Sequence, residues 1–337
     1  MTDTAVATGP DTGATDTLLR VRDLKVHFRA SKKGPPLKAV DGISYDLAEG
    51  EALAIVGESG SGKSVGVRAL LGLVADNGRI AGGTAHFEGQ DLLSMNRSRL
   101  QRYRGKQIGM VFQDAMQALN PTLTLEKQLV EHQLWHRLCD RHTAVERSIE
   151  MLGKMGIPQP ERRIKAYPFE LSGGLRQRAM IAMAMVTNPT VLIADEPTTA
   201  VDVTLQRQIL DLLAEIKREG TAIIMITHDL GVARDLCDRV AVMYGGKIVE
   251  HAAMGNFLTE ARHPYARGLL NSTIEVGDLD RELSPIKGTP PSLRDVPTGC
   301  PFRPRCPLAE DKCKEPQELL QIADGHTAAC WKVVDHD

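Results

Sequence analysis

Glycines, a lysine and a serine near the start of the chain have the spacing that proteins use to hold phosphate groups. Residues 57–64 read GESGSGKS, which matches the pattern G-x-x-x-x-G-K-S. Glycines let the backbone turn tightly and point its N–H groups at an anion, and a helix that follows adds positive partial charge. The lysine can reach the β- and γ-phosphates of a nucleotide, and the serine hydroxyl can bind Mg²⁺. The predicted phosphate-binding residues are Gly57, Glu58, Ser59, Gly60, Ser61, Gly62, Lys63, Ser64 and the adjoining Val65.

A second candidate group is a pair of carboxylates, Asp195 and Glu196, that follows the apolar run 191–194. Such a run predicts a buried strand, and in an open α/β sheet the end of that strand lies beside the phosphate loop. Asp195 is then placed to hold Mg²⁺ through water, because Mg²⁺ prefers oxygen ligands and keeps part of its water shell. Glu196 is placed to polarise an attacking water. An acidic pair alone is usually a solvated strand end, so this interpretation depends on the phosphate loop.

The elements that must position these groups follow from the spacing of apolar residues. The apolar run 52–56 precedes the glycine loop and predicts a buried strand, and residues 65–73 have helical composition. Residues 123–156 show helical spacing among charges and predict a helical insertion. Strands and helices that alternate around a phosphate loop predict a doubly wound, largely parallel α/β sheet. Further strands are expected at 18–28, 37–47, 80–88, 108–112, 190–194, 222–226 and 240–244, a helix at 205–217 and a hairpin turn at 245–246.

Composition restricts the protein classes that fit the chain. With 337 residues, 42% of them hydrophobic, it can form one large or two moderate domains with a sizeable core. The formal net charge of −2 gives no overall basic field, so we expect no nucleic-acid partner. The longest apolar run, residues 179–186, is far shorter than the roughly 20 residues that span a bilayer. No signal peptide is visible, so we expect a cytoplasmic chain whose membrane part, where needed, is another protein.

A third motif, LSGGL at residues 171–175, is followed by Arg-Gln-Arg and a stretch of helical composition. With this motif added to the two groups above, the chain resembles the ATP-binding subunits of ABC transporters, whose signature is L-S-G-G-x. The resemblance covers about residues 18–263, and the motifs stand in the family's order. The chain departs from the family pattern at Leu175, where Gln is common, and at Val201, where Leu is frequent. Neither position supplies a phosphate ligand or the base, so we expect a site competent for hydrolysis.

The resemblance implies roles for three separate residues. Phe28 matches the aromatic residue that stacks on adenine. Gln113 matches the glutamine that contacts Mg²⁺ and senses the membrane partner, and His228 matches the switch histidine on the γ-phosphate. Taken alone, His228 would be an ordinary loop histidine. With the rest of the site present it is a catalytic candidate, together with Glu196, Gln113 and Lys63.

The signature also implies a second ATPase subunit. Ser172, Gly173 and Gly174 match the residues that cap the γ-phosphate of the ATP held by the other subunit, and Asp202 matches the loop that connects the two sites. A working site would then need two chains head to tail, with two ATP molecules between them. We expect a different, paired ATPase chain, two transmembrane permease subunits and, indirectly, an external solute-binding protein. This would place the chain peripherally on the cytoplasmic face of the inner membrane of a prokaryote.

The C-terminal part of the chain resembles the extension of the oligopeptide/dipeptide (peptide/nickel) importer ATPases. Residues 263–270 (HPYARGLL), residues 288–292 (GTPPS) and a cysteine-rich tail carry the resemblance. Cys300, Cys306, Cys313 and Cys330 are spaced C-x5-C, C-x6-C and C-x16-C, and four thiolates could close around one metal centre. The resemblance favours a 4Fe–4S cluster. Structural zinc and unligated thiols are the alternatives, and the short C-x2-C spacing of zinc ribbons is absent.

Together these features predict an α/β P-loop ABC ATPase with a mixed β-sheet core, an antiparallel β subdomain, a helical signature subdomain and a small Cys-rich extension. The predicted divisions are a disordered tail (1–17), the ATPase domain (18–270) with its helical subdomain at about 115–185, and the extension (271–337). The predicted function is ATP hydrolysis that powers an importer, most simply of oligopeptides or dipeptides. The alternatives are a soluble ABC ATPase of DNA repair or chromosome handling, an importer of nickel or another small solute, and an iron–sulfur regulatory protein.

Overall fold

The structure, a computed structural model, describes residues 17–29, 34–199, 201–272 and 285–333. Residues 1–16 of the predicted tail lie outside the described residues, and Thr17 is the first residue of a strand. The strands are β1 (Thr17–Arg29), β2 (Pro36–Ala48), β3 (Ala52–Val56), β4 (Gly78–Phe87), β5 (Gln90–Asp91), β6 (Ile108–Val111), β7 (Val191–Asp195), β8 (Ala222–Thr227), β9 (Arg239–Tyr244), β10 (Lys247–Ala253), β11 (Leu320–Ala323) and β12 (His326–Ala328). The α-helices are α1 (Lys63–Leu70), α2 (Arg97–Leu100), α3 (Ala115–Ala118), α4 (Leu125–Trp135), α5 (Arg141–Lys154), α6 (Pro160–Arg163), α7 (Gly173–Met185), α8 (Val203–Arg218), α9 (Leu230–Leu236), α10 (Met254–Glu260) and α11 (Pro264–Asn271).

Two β-sheets form the frame of the molecule. The smaller sheet is antiparallel and has the strand order β2-β1-β4-β5. The larger sheet has the order β11-β12-β10-β9-β3-β8-β7-β6, in which the run from β9 to β6 is parallel and the other three strands join antiparallel at one edge. The predicted mixed sheet with an antiparallel β subdomain is therefore confirmed. The predicted hairpin turn at 245–246 joins β9 to β10.

The larger sheet is covered on both faces, and β3 shows how. Ala52, Ala54 and Val56 pack into the core on the side of the helical layer, whereas Leu53 and Ile55 pack into the core beneath the smaller sheet. All five residues are buried. Strands buried on both faces read as continuous apolar runs rather than as alternating ones. The loop that follows β3 is thus anchored to a strand that is buried on both faces.

A helical layer, α3 to α7, lies between β6 and β7 in the chain. The insertion predicted over 123–156 corresponds to α4 and α5, and the layer begins earlier, at α3. Helix α7, which follows the signature, packs against α3, α4 and α5. The signature is therefore carried by a helix that three other helices support. In the described part of the chain, no helix is both long and apolar enough to cross a membrane.

The described part of the C-terminal extension joins the central sheet. Strand β12 pairs with β10, where Ala328 lies opposite the fully buried Glu250. The Glu250 carboxylate accepts the backbone N–H groups of Arg262 (2.8 Å) and His263 (2.7 Å), and Nε2 of His326 lies 2.8 Å from its Oε1. A carboxylate can be buried at this depth because each oxygen has a hydrogen-bond partner. This contact fastens the extension to the sheet.

Candidate functional site

The glycine loop connects β3 to α1, as predicted, but the helix begins at Lys63, two residues before the predicted start at 65. Gly62 caps it with a φ of +100°, and a Cβ there would lie 2.2 Å from the carbonyl oxygen of Ala39. A Cβ on Gly57 would lie 2.2 Å from the carbonyl oxygen of Met243. Only glycine fits at these two positions, because any side chain would collide with neighbouring backbone. The loop is thus held in a curve whose N–H groups can surround an anion.

Lys63 lies inside this curve and is only 5% exposed. Its Nζ donates to the carbonyl oxygens of Gly57 (2.7 Å) and Glu58 (3.0 Å). Burial lowers the pKa of Lys63, while the carboxylates of Glu196, Asp195 and Glu58 act in the opposite direction. A phosphate that replaced the two carbonyls would give the buried ammonium a fully charged partner.

Asp195 ends β7 and is fully buried. The Ser64 hydroxyl donates to its Oδ1 at 2.7 Å, so two of the three predicted magnesium residues meet here, and the third, Gln113, contacts Glu196. Arg68 donates to Oδ2 from Nη2 (2.7 Å) and Nε (3.2 Å). Sequence reasoning missed Arg68, although it lies one helical turn after Ser64 on the same face of α1. A hydroxyl and a carboxylate in contact are suitable for Mg²⁺, the first as a direct ligand and the second through water.

The Glu196 carboxylate contacts three other side chains. Gln113 Nε2 donates to its Oε2 at 3.0 Å, Thr199 Oγ1 donates to the same atom at 2.8 Å, and Nδ1 of His228 lies 3.6 Å from Oε1. The backbone of Glu196 has a φ of +49°, and its N–H donates to the carbonyl oxygen of Ile226 at 2.9 Å. This left-handed conformation is rare outside glycine and costs about 1–3 kcal/mol. The fold therefore brings together the predicted base, the glutamine and the switch histidine at one strained turn.

The signature and the Asp202 loop line a second, open concavity that contains Ser172, Gly173, Gly174 and Asp202. Ser172 is the N-cap of α7 and Asp202 is the N-cap of α8. Two helix N-termini therefore meet here, and both favour an anion. Among the described residues that line this concavity, none belongs to the phosphate loop. Capping of a partner's nucleotide by these residues stays a prediction.

Phe28 lies on β1 between Leu37 of β2 and Gly78 of β4. Its ring occupies the space that a side chain at position 78 would need, since a Cβ there would lie 2.6 Å from the ring. The ring is half-buried. Its role as the platform for adenine stays a prediction.

The four cysteines of the tail line one cavity, as their predicted grouping requires. None of them forms a disulfide. Within the described residues, no three or more His, Cys, Asp or Glu side chains are arranged so that they could hold a metal ion. The cavity thus collects Cys300, Cys306, Cys313 and Cys330 without presenting a ready-made site for one ion.

The sulfur of Cys313 nevertheless accepts an N–H donor, because Trp331 Nε1 donates to Cys313 Sγ at 3.4 Å. Burial raises the pKa of Cys300 to about 11 and also raises the pKa of Cys306 and Cys330. These three thiols therefore keep their protons at neutral pH, and binding of a metal would release the protons. N–H donors aimed at sulfur fit thiolate ligands, which need such donors for their charge.

Comparisons with known proteins agree with this geometry. A family model described as ABC transporter matches residues 40–199, and one described as oligopeptide/dipeptide transporter, C-terminal region, matches residues 249–313. The chain is 47% identical to the oligopeptide transport ATP-binding protein OppD of Salmonella typhimurium, over 94% of both chains. It is 45% identical to the dipeptide transport ATP-binding protein DppD of Bacillus subtilis, over 93% of this chain and 94% of that one. The chain belongs to the ATP-binding subunits of the oligopeptide/dipeptide ABC transporter family.

Solved structures confirm the ABC ATPase fold of this subunit. The post-hydrolysis dimer of the ATP-binding cassette MJ0796 with ADP and Pi has a TM-score of 0.63 and 25% identity, and covers 70% of this chain and 98% of its own. The cassette cbiO1 of Clostridium perfringens has a TM-score of 0.60 and 27% identity, and covers 73% of this chain and 92% of its own. The fold and the family together show that this protein is an ATP-hydrolysing cassette of a transporter.

Two contacts around Asp195 and Glu196 in this ABC ATPase were not predicted, and the sequence offers a signal for only one of them. Arg68 stands four residues after Ser64, so the helical period could have placed it beside Asp195. Thr199 follows Glu196 by three residues in a turn without periodicity, and no pattern in the sequence marks its hydroxyl as a donor to the base.

Proposed function

We propose that this subunit hydrolyses ATP to power uptake of oligopeptides or dipeptides. The observation that carries the proposal is a pair of contacts at the carboxyl ends of the parallel strands. Ser64 contacts Asp195, and Gln113 contacts Glu196. The phosphate loop, with Lys63, lies next to both pairs of side chains. The relatives of similar length are named as oligopeptide and dipeptide transport proteins. Those names favour peptides over nickel or another small solute as the cargo.

Binding of ATP would use the residues in contact around the phosphate loop. Lys63 and the loop N–H groups would hold the β- and γ-phosphates. Ser64 and Gln113 would hold Mg²⁺ directly, and Asp195 would hold it through water. When bound, Mg²⁺ would supply positive charge that neutralises the negative charge developing on the phosphates during transfer. Phe28 would stack on the adenine.

Hydrolysis would depend on Glu196 and His228. The carboxylate of Glu196, fixed by Gln113 and Thr199, would orient a water against the γ-phosphorus and accept its proton. His228, beside the same carboxylate, would hold the γ-phosphate during the step. The bond that breaks joins the γ-phosphorus to the β-γ bridging oxygen, and the products are ADP and phosphate.

The complete transporter would contain further chains. Ser172, Gly173, Gly174 and Asp202 would reach the nucleotide of a second ATPase subunit, which we propose to be a different, paired chain. Two transmembrane permease subunits would form the channel, and an external solute-binding protein would deliver the peptide. The subunit would then work on the cytoplasmic face of the inner membrane of a prokaryote, with no nucleic-acid partner.

Co-purification and uptake test this assignment. We expect the tagged chain to co-purify from detergent-solubilised membranes with two permeases and a second ATPase. Vesicles that contain this assembly and the solute-binding protein should accumulate labelled dipeptides or oligopeptides only when MgATP is present. ATP-dependent uptake of Ni²⁺ without peptide uptake would show that the cargo is nickel and not peptide. Stimulation of ATP hydrolysis by DNA, with no membrane partner, would reject the transport role.

We also propose that Cys300, Cys306, Cys313 and Cys330 bind a 4Fe–4S cluster. Two observations support this proposal: the four cysteines line one cavity, and Trp331 Nε1 donates to the sulfur of Cys313, as suits a thiolate ligand. The resemblance of the tail to the extension of the importer ATPases favours the cluster over zinc, which remains the alternative.

Metal analysis of anaerobically purified protein gives a direct prediction. We expect about four iron and four sulfide per chain, with a broad visible absorption band. Cys313→Ser should lose the iron and the band, because it removes a ligand, whereas Cys139→Ser should keep both, because Cys139 lies outside the cavity. One zinc per chain without a visible band would contradict the cluster and leave the nucleotide site untouched.

A further inference from the structure

The cysteine-rich extension contacts the phosphate loop through one arginine. Arg305 lies in a short 3₁₀ turn, Arg303–Arg305, directly before Cys306. Its two terminal nitrogens donate to both oxygens of Glu58, Nη1 to Oε2 at 2.6 Å and Nη2 to Oε1 at 3.0 Å. This is the two-pronged geometry that makes arginine–carboxylate pairs strong and directional. The partners are 247 residues apart in the chain, so only the fold brings them together.

The guanidinium of Arg305 is built into its position. Its side chain is only 5% exposed. Nη1 also donates to the Tyr244 hydroxyl at 3.1 Å, and Nε donates to the carbonyl oxygen of Lys287 at 2.9 Å. The group also lies 5.8 Å from the centre of the Tyr244 ring and 5.9 Å from that of Phe302, within range of cation–π attraction. An arginine with so many partners is fixed before any ligand arrives.

Glu58, the partner of this arginine, is the second residue of the phosphate loop and is held at three points. Its carboxylate is bound by Arg305, its N–H donates to the Tyr265 hydroxyl at 2.9 Å, and its carbonyl accepts Lys63. A carboxylate at this position would repel the phosphates of a nucleotide if it were not neutralised. Its side chain is 26% exposed, so solvent screens it only in part.

We propose that Arg305 is a positioning residue for the nucleotide: it cancels the charge of Glu58 and holds the start of the phosphate loop, so that the extension sets the affinity for MgATP. The inference rests on the proposed nucleotide site. It adds to that site a residue that does not touch the nucleotide and acts through Glu58. Loss of Arg305 leaves an unpaired carboxylate beside the phosphates, which weakens binding more than it slows the chemical step.

Calorimetric titration of the full chain with MgADP tests this role. We expect Arg305→Ala to weaken MgADP binding about tenfold and to raise KM for ATP by a similar factor, with kcat changed less than about twofold. Arg303→Ala is the matched control. It removes a neighbouring arginine of the same turn, whose Nη1 donates to the Thr298 carbonyl oxygen, and should leave affinity unchanged. Arg305→Lys keeps the positive charge but loses the two-pronged hydrogen bonding to Glu58, and it should weaken MgADP binding about threefold.

A double variant separates charge repulsion from loss of structure. Glu58→Gln combined with Arg305→Ala removes both charges, and we expect it to bind MgADP several-fold more tightly than Arg305→Ala alone. Equal affinity of Arg305→Ala and the unmodified chain would overturn the proposal, and so would a double variant as weak as Arg305→Ala. If Arg305→Ala does not fold, full wild-type affinity in Arg305→Lys overturns it instead. Failure of the unmodified chain to bind MgADP would count against the nucleotide site itself.

Discussion

Glu196→Gln is expected to lower kcat for ATP hydrolysis by roughly 10²–10⁴-fold while the subunit still binds MgATP. The amide keeps the size of the side chain but can neither accept the proton of the attacking water nor attract it as an anion. The neighbours of the carboxylate, Gln113 and Thr199, both donate hydrogen bonds to Oε2 and can still meet the amide oxygen. The strained backbone at residue 196 is unaffected by the change. The loss should therefore appear in the chemical step.

Steady-state ATPase assays and gel filtration check this expectation. Because the variant binds ATP and cannot cleave it, a paired subunit should stay associated with it in MgATP and separate in MgADP. Glu215→Gln, an exposed carboxylate on α8, is the matched control and should keep full activity. A Glu196→Gln protein within about fivefold of the unmodified kcat would mean that another group activates the water.

Lys63→Ala is expected to weaken MgATP binding by 100-fold or more. The ammonium is desolvated and is aimed at the curve of the phosphate loop, where it would form charge-assisted hydrogen bonds to two phosphates. Each such bond contributes about 1.5–3 kcal/mol, and a factor of ten corresponds to about 1.4 kcal/mol. Two lost bonds therefore correspond to at least two orders of magnitude. Titration with MgADP, in which one of the two phosphates remains near the lysine, should show a smaller loss.

The fold of the Lys63→Ala protein should persist, because its backbone still begins α1 and the change removes only the donor to the carbonyl oxygens of Gly57 and Glu58. Thermal unfolding without nucleotide serves as the check. Lys247→Ala, at the start of β10, is a matched control that should bind MgATP normally. Tight MgATP binding by Lys63→Ala would show that the N–H groups of the loop suffice to hold the phosphates.

The parts of the site that could be predicted are those with local spacing. Ser64 lies in a fixed motif, and Asp195 ends an apolar strand that Glu196 follows. The carboxyl ends of β3 and β7 lie at the same edge of the sheet, with β8 between them, which brings these groups together. Boundaries were less accurate, since α1 begins inside the motif at Lys63. Glycine at position 62 supplies the turn that starts the helix early, and composition does not reveal such a turn.

The contacts that could not be predicted join residues far apart in sequence. Arg305 with Glu58 and His326 with Glu250 are pairs in which neither partner has a neighbour that marks it. Periodicity describes which face of an element is apolar, but it does not say which charged side chain from a distant loop will fill a given position. The spacing of the tail cysteines predicts that they group together, whereas the N–H donor that Trp331 gives to Cys313 appears only in three dimensions.

The burial of Glu250 beneath β12 affects how this protein unfolds and how it responds to proteolysis. Removal of the extension would turn β10 into an open sheet edge and would take His326 away from a carboxylate inside the protein. The catalytic part and the extension should therefore unfold in one cooperative transition. A protease cut that releases the last strands would then expose the edge of β10 and leave an aggregation-prone chain.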